Sequence, residues 1–262
     1  MSELFALRGQ LSRKSKAAIE IFGFVFFVVL WWTISDLGFL PRGIFPHPWK
    51  VLLSFGELYT EHDIITHTIY SLKINFFGYC EAVLLALPLG FLIGLLPVCR
   101  GLSERIMAAS RFLPLPAVTG VMIAAFGIGT IVKIHFLALS IFVYLLPVVV
   151  QRIDEVDEVY VQTVKTLGAN HWQTIRHVFF PLAVCRISDD IRVLVAISWT
   201  YIVIAEGINR GDGGLGAMTF DVSYQHRIDM LYALLVIIML IGFLQDKLFN
   251  LIDRALFPHK YA

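Results

Sequence analysis

The stretch Asp154–Pro181 reads DEVDEVYVQTVKTLGANHWQTIRHVFFP. It is a polar island in an otherwise apolar chain, and it has a helical design of its own. Val156, Val159, Tyr160, Val164 and Leu167 recur at helical spacing. Gly168 follows, a residue type that closes helices in the left-handed conformation. Asn170 is placed to cap a second helix, with Gln173 three residues on as a variant of the capping box. That second helix sets Trp172, Ile175, Val178 and Phe179 on one side, and Phe180-Pro181 closes the segment. Two short amphipathic helices joined at a glycine and held between membrane spans predict a docking surface for another protein.

Composition makes the rest of the chain a membrane protein. Hydrophobic residues are 58% of the 262, charged residues 16%, and mean hydropathy is +0.76. A soluble domain carries about 25% charged residues. A net charge of +1 argues against a general nucleic-acid binder. Cys80, Cys99 and Cys185 form no C-x-x-C, so neither a disulfide framework nor a zinc knuckle is suggested. Six apolar spans can be placed: Ile19–Leu37, Ile74–Pro97, Ile106–Phe126, Ile131–Val150, Ile187–Ala205 and Met230–Phe249. A crossing takes about 20 residues, so the shorter runs must include polar ends at the interface. Trp31 and Trp32 suit an aromatic belt. The first span is too long, and too poor in a small-residue cleavage site, for a signal peptide. The fold class expected is all-α integral membrane, with about six transmembrane helices.

Positive charge orients the bundle. With the N-terminus inside, the cytoplasmic segments hold 13 cations: Arg8, Arg13, Lys14, Lys16, Arg100, Arg105, Arg152, Lys165, Arg176, Arg186, Lys247, Arg254 and Lys260. The outer segments hold 6: Arg42, Lys50, Lys73, Lys133, Arg210 and Arg227. The excess places both termini and the Asp154–Pro181 loop in the cytoplasm. The organisation expected is a cytoplasmic tail (1–18), a first span with an outer connector (19–70), a core (71–252) and a short cytoplasmic tail (253–262). In the connector, Ile44-Phe45-Pro46-His47-Pro48 is a stiff entry. Trp49–Tyr59 then reads as an amphipathic helix with Val51, Leu52, Phe55, Leu58 and Tyr59 on its apolar side.

Charges inside spans are costly and are usually paired or functional. Glu81, about two turns in from the outer end of the second span, faces either a central pathway or a neighbouring partner. Pro88 and Gly90 lie further along, where a kink would help a pathway open and close. Arg111 precedes Leu113-Pro114-Leu115-Pro116, and the two prolines must interrupt the backbone ladder. Non-helical backbone at that depth survives only inside protein or against a water cavity. Arg111 itself is an anion contact or a residue that snorkels to the cytoplasmic end. Lys133 anchors at the outer interface, and His135 reads as a satisfied core histidine. Asp189 and Arg192, three apart, can pair on one helix. Glu206 ends that helix as an interfacial acid before a glycine-rich loop.

Enzymatic signatures are missing from the sequence. It has no G-x-x-x-x-G-K-[ST], H-E-x-x-H or G-x-S-x-G. The eight histidines show no metal-ligand spacing, and His62, Asp63 and His67 read as a solvated loop.

The central segment resembles the EAA loop of bacterial ABC importer permeases, roughly E-A-A-x-x-x-G with a later I-x-L-P. Gln162-Thr163-Val164, Gly168-Ala169 and Phe180-Pro181 occupy its positions. The glycine and proline match; the leading acid and both alanines do not. From about Ser71 to Tyr261 the chain resembles the nitrate, sulfonate, taurine and bicarbonate branch. The matching pieces are FGIG (Phe126–Gly129), LGANHW (Leu167–Trp172), the Arg192 helix, AEG (Ala205–Gly207) and GGLG (Gly213–Gly216).

The resemblance implies a type I importer permease in the bacterial inner membrane, with two copies around one pathway. It implies cytoplasmic ABC ATPase subunits on the loop, holding ATP and magnesium, and an extracytoplasmic solute-binding protein. This chain would bind no cofactor. Gln162, Thr163, Gly168, Ala169, Asn170 and Trp172 would couple to the ATPase. Glu81, Pro88, Arg111, Pro114, Pro116 and Glu206 would line the pathway or gate. A small anion is the solute expected. The alternative is an ATP-independent, ion-coupled carrier or channel.

Overall fold

The computed structural model describes residues 9, 11–38, 41 and 43–261. Arg8 and Arg42 of the charge count, and residues 1–8 and 10 of the expected tail, lie outside the described residues. The described chain is helical and divides into two compact units.

The smaller unit comprises the described residues up to His62 together with Val222–Ala233. Its first helix, α1 (Arg13–Leu37), starts where Ser12 accepts a hydrogen bond from the Ser15 N–H and stops at Gly38, whose φ is 68°. None of its apolar stretch is buried within the protein, as a lipid-facing span requires. Helix α2 (Pro48–Thr60) is the amphipathic helix expected over Trp49–Tyr59. Its buried side is Val51, Ser54 and Leu58, while Leu52 and Tyr59 are exposed. The Trp31 indole N–H donates to the Pro46 carbonyl at 3.0 Å, tying the proline-rich entry to α1. Arg227 donates to both Glu57 oxygens at 2.7 and 2.6 Å. Those bonds hold the Glu57 carboxyl below the usual carboxylate range. Glu57, Glu61 and His62 offer ligand atoms within 4.8 Å of one another, but Arg227 already engages Glu57.

The larger unit spans Asp63–Asp221 and Leu234–Ala262. Helix α3 (Ile64–Leu95) places Gly78, Ala82, Ala86, Gly90 and Gly94 at four-residue spacing, one stripe of small residues. The stripe packs on α6 (Thr130–Asp154): a Cβ on Gly78 would meet Leu137 at 3.1 Å, and one on Gly94 would meet Ile153 at 2.8 Å. Tyr70 also bonds Thr130 at 3.0 Å. Both sets of numbers rise together, so α3 and α6 run parallel. The intervening chain must therefore climb back along their full length.

It does so in two pieces, α4 (Pro97–Ser110) and α5 (Thr119–Phe126). The two are bent by 102° around Arg111–Val118. The span expected as Ile106–Phe126 starts earlier and is broken. Pro114 and Pro116 cannot donate to a ladder, and Leu115–Val118 tightens into a 3-10 turn. At one end Arg100 reaches Asp154 at 2.5 Å; at the other Met122 packs with Val132, Phe136 and Ala205. Contacts at opposite ends of α6 make this a broken crossing rather than a loop that re-enters on one side.

Helix α9 (Phe180–Gly207) runs antiparallel to both, with Arg152 on Asp190, Tyr144 on Tyr201 and Ser71 on Glu206. After α10 (Leu215–Tyr224), helix α11 (Ile228–Leu256) pairs with α9 through Arg192 and Asp246 at 2.5 and 2.8 Å. By length and composition α1, α3, α6 and α11 can cross a membrane, and the α4–α5 pair makes a fifth. The remaining expected span lies in α9. It is long enough at 28 residues, but Arg186, Asp189, Asp190 and Arg192 crowd its first half. Three of those charges are met by other segments: Asp189 by Lys260 at 2.6 Å, Asp190 by Arg152 at 2.6 Å, and Arg192 by Asp246. The expected Asp189–Arg192 pair is thus replaced, because a carboxylate on a facing helix can take the guanidinium fork with two bonds.

Candidate coupling loop and pathway residues

The polar segment rests on a charged base. Arg152, in the last turn of α6, binds Asp190 through two nitrogens at 2.6 and 2.8 Å and Glu155 at 2.9 and 2.6 Å. Arg186 donates to the Glu155 carbonyl at 2.9 Å. The Arg152 hydrogen bonds hold Glu155 below the usual carboxylate range. This network fixes where the segment leaves α6 and where it returns along α9.

Helix α7 (Glu158–Thr166) is capped by Asp157, which accepts from Val159 N–H at 3.0 Å. Its buried residue is Val161, while Val159, Tyr160 and Leu167 are exposed. Three of the five residues of the apolar row read from the sequence thus face outward, while Val156 and Val164 are half-buried. At the far end, the Gly168 N–H bonds Lys165 O and the Ala169 N–H bonds Val164 O, both at 3.0 Å. These two bonds make a Schellman closure, and Gly168 takes φ 85° as it requires. Asn170 and Gln173 then cap each other reciprocally at 2.8 Å. The expected glycine turn and capping box both form.

The end of the segment differs from expectation. Phe180-Pro181 does not close it. A single turn, α8 (His171–Thr174), passes through a π-turn at Ile175–Phe179 directly into α9. Pro181 has no N–H to give, and the wider turn lets the chain carry it within continuous helix, with the Phe180 N–H reaching Ile175 O. The second lever is therefore the leading end of α9 itself. Gln162 and Thr163 are exposed on α7, and Trp172 is 68% exposed at the tip. Trp172 also borders, with Ile175 and Phe180, an apolar hollow of about 660 Å³ against the Leu84–Leu95 end of α3, where Pro88 lies.

One prediction concerns the turn. A Cβ on Gly168 would meet nothing within 4 Å, so any effect of substitution is conformational. The left-handed region costs an L-residue about 1–2 kcal/mol, and more for a β-branched one. Gly168→Val should fray α7, seen as several-fold faster tryptic cleavage after Lys165 in the folded protein. Gly168→Asn should stay near wild type. Equal cleavage of the valine variant would refute this.

The opposite end of the larger unit holds a buried polar latch. Glu206 is 0% exposed. Its carboxylate accepts from Ser71 Oγ at 2.5 Å and from Gly216 N–H at 2.5 Å. Ser71 Oγ in turn accepts from Leu215 N–H at 2.8 Å, and His67 Nδ1 accepts from Gly214 N–H at 2.9 Å. Glu206 is therefore a fully buried clasp on the glycine-rich loop and not an interfacial acid; His67 is part of that clasp and not a solvated residue. Lys133 is also 0% exposed, donating to Asn209 O at 2.7 Å and pairing with Asp212 at 3.1 Å. The expected interface anchor is thus an internal strut, because its partners come from the loop after α9.

Glu81 lies 17 residues after Ile64 and 14 before Leu95, near the middle of α3 rather than two turns from its end. Its two oxygens meet His135 Nδ1 at 2.8 and 2.9 Å. Both alternatives for Glu81 thus bear on one place: it is paired, and it stays partly open. Pro88 is exposed within an unbroken α3. Arg111, Pro114 and Pro116 are exposed around the α4–α5 break. The candidates therefore fall in separate places, with Glu81, Arg111 and Glu206 in three of them. One buried network went unread: Asn75 donates to Ser198 at 2.8 Å, Gln245 donates to Asn75 at 3.2 Å, and Trp199 donates to Gln245 at 2.7 Å. Its signal was available as an asparagine and a glutamine inside apolar runs.

Long apolar helices, a broken crossing and a rigidly based polar loop define a multi-pass membrane transport subunit. The family described as binding-protein-dependent transport system inner membrane component matches residues 86–258, and the chain belongs to it. Such a subunit is a permease and not a catalyst. The chain is 27% identical over 236 residues to the taurine transport system permease protein TauC of Escherichia coli (strain K12), covering 88% of this chain and 86% of that one. It is 28% identical over 233 residues to SsuC of Bacillus subtilis (strain 168), named for aliphatic sulfonates transport, covering 87% and 83%. In fold it is similar to a chain of the inward-facing MetNI methionine ABC transporter. The TM-score is 0.64 at 19% identity, covering 73% of this chain and 94% of that one.

Proposed function

We propose that this chain forms the solute path and the coupling lever of an ATP-driven importer in the bacterial inner membrane. Two copies pair around one pathway, both termini and the Asp154–Pro181 loop lie in the cytoplasm, and two ATPase subunits carrying ATP and magnesium dock on the loops. A binding protein delivers solute from outside. The observation that carries the reading is the loop: its base is clamped by Arg152, its turn is capped from both sides, and its second helix is continuous with α9. Force applied at Trp172 would then pass into α9 without a hinge of unpaired backbone. Nucleotide binding moves such a lever only if ATP binds the two arrangements with different affinity.

The first solute to test is a small organic sulfonate, a choice supported by the names of TauC and SsuC. Neither nearby cation adds support for an anion: Lys133 is occupied by Asp212, and Arg111 is exposed beside the break. The deciding experiment is isolation of the chain from its native membrane in mild detergent, with mass spectrometry of its companions. An ABC ATPase in near-equal amount is expected. Trp172→Ala should reduce solute-stimulated ATP hydrolysis or loosen that subunit, since exposed aromatics anchor interfaces. Repeated purification without an ATPase, even after cross-linking at the loop, would favour an ion-coupled carrier instead.

A further inference from the structure

Glu81 and His135 form a half-open ionisable pair on apolar walls. Their side chains are 32% and 30% exposed. One hollow of about 500 Å³ opens on the pair beside Phe77, Cys80 and Leu84. A second, of about 460 Å³, opens on it beside Met122, Phe126 and Phe142. The Phe126 ring lies 4.5 Å from the imidazole, centre to centre. The pair sits mid-way along a 32-residue apolar helix. A carboxylate left half-open at that depth against hydrocarbon would be expensive, and such residues normally face the bundle interior or water. By that rule the face shared by α3, α5 and α6 turns toward the bundle interior or water and not toward lipid.

The charge of this face can be read from its neighbours. Lys133, two residues before His135 and so about half a turn round α6, is fully buried and paired with Asp212. His135 presents Nδ1 to the carboxylate, so the imidazole can at most neutralise Glu81. The hollows are thus neutral or negative, with acceptor lone pairs on Glu81 and aromatic walls. Aromatic faces add attraction for a cation.

We propose that Glu81, positioned by His135, is a solute-contacting site of the pathway that takes the positively charged or N–H-bearing end of the transported molecule. This rests on the chain forming the pathway. For a zwitterion such as an aminoalkanesulfonate, the ammonium end would lie at Glu81, and the sulfonate would be held elsewhere.

The native Cys80 lines the same hollow and supplies the test. In the complete transporter in lipid nanodiscs, with Cys99→Ser and Cys185→Ser, Cys80 is titrated with two small membrane-impermeant thiosulfonates. One carries a trimethylammonium group and the other a sulfonate. Relative to a free thiol, the cationic reagent should be favoured by about 10-fold or more, the scale of one charge at close range in a partly aqueous site. Glu81→Gln should bring the ratio back toward that of the free thiol. His135→Gln, which leaves the carboxylate unneutralised, should keep or raise the preference.

Two results would overturn the site. One is a Cys80 inert to both charged reagents yet labelled by membrane-permeant N-ethylmaleimide. The other is a charge ratio unchanged by Glu81→Gln in an assembled complex. Either result, obtained with ATP hydrolysis intact, removes the site and leaves the importer reading standing. Absence of any ATPase would remove the importer reading, while the Cys80 ratio would still report on the site.

Discussion

Glu206→Ala should leave almost no monodisperse protein after detergent extraction. The carboxylate accepts from two donors that have no water to turn to, the Ser71 hydroxyl and the Gly216 N–H. Each buried donor left unpaired costs about 1–3 kcal/mol. Together with the void left by the side chain, the loss is on the order of 3–5 kcal/mol, against a total stability of about 5–15 kcal/mol. Glu206→Gln is the informative companion. An amide keeps one acceptor oxygen but turns an NH2 toward the second donor. Ser71 Oγ already accepts from Leu215 N–H, and if it also accepts from the amide NH2 its own proton loses the Glu206 acceptor. Gln should therefore be intermediate, with Ser71→Ala resembling it. Size-exclusion profiles after graded heating measure all three. A Glu206→Ala protein that survives heating like wild type would mean that the loop is held by something other than the clasp.

The same clasp accounts for the glycines around it. A Cβ on Gly214 would fall on the Glu206 carboxyl, and Gly214 takes φ 110°. One on Gly216 would lie 2.5 Å from the Val203 Cα. The GGLG piece therefore has a steric reason that does not depend on family likeness.

What could be read from sequence divides by range. The Gly168 closure, the Asn170–Gln173 box and α2 are set by residues within a turn or two, and all three form as expected. The α4–α5 break was legible because proline lacks a donor wherever it sits. Lys133 and Glu206 were misplaced because their partners lie 76 and 135 residues away, at Asn209 and Ser71. An apolar run shows that a charge inside it must be satisfied, but not by which element. Asp189 and Arg192 failed in the same way: spacing allowed a local pair, and facing helices offered better ones. Of the pathway candidates, Glu81 stands out in the sequence by its cost in lipid. Its depth was misjudged because α3 starts ten residues before the apolar run that marked it.

The stripe Gly78-Ala82-Ala86-Gly90-Gly94 is visible in the sequence, yet only the partner helix gives it an energy. A Cβ at Gly90 would land on Val149, 2.7 Å from its Cβ and closer still to Cγ1. Helix propensity alone favours alanine over glycine by about 1 kcal/mol. Overpacking costs about 1–3 kcal/mol and is not relieved where the obstacle is a β-branched side chain with one preferred rotamer. Packing should win, so Gly90→Ala should lower thermal stability. Gly94→Ala runs the same comparison with a milder clash. Its nearest obstacle at 2.8 Å is Ile153 Cδ1, the free end of a side chain, with the next atoms at 3.1 Å. That end can swing away, and Ile153 Cβ and Cγ2 at 3.1 Å need to give far less than Val149 does, so the substitution should cost clearly less than Gly90→Ala. Val149→Ala removes Cγ1, the nearest obstacle to Gly90→Ala, and leaves only the Cβ at 2.7 Å, so it relieves part of the clash. The double variant should therefore be more stable than the sum of the two single losses, a coupling expected only between residues in contact. Additive losses, or a Gly90→Ala protein as stable as Gly94→Ala, would show that α3 and α6 are not held at the separation this stripe implies.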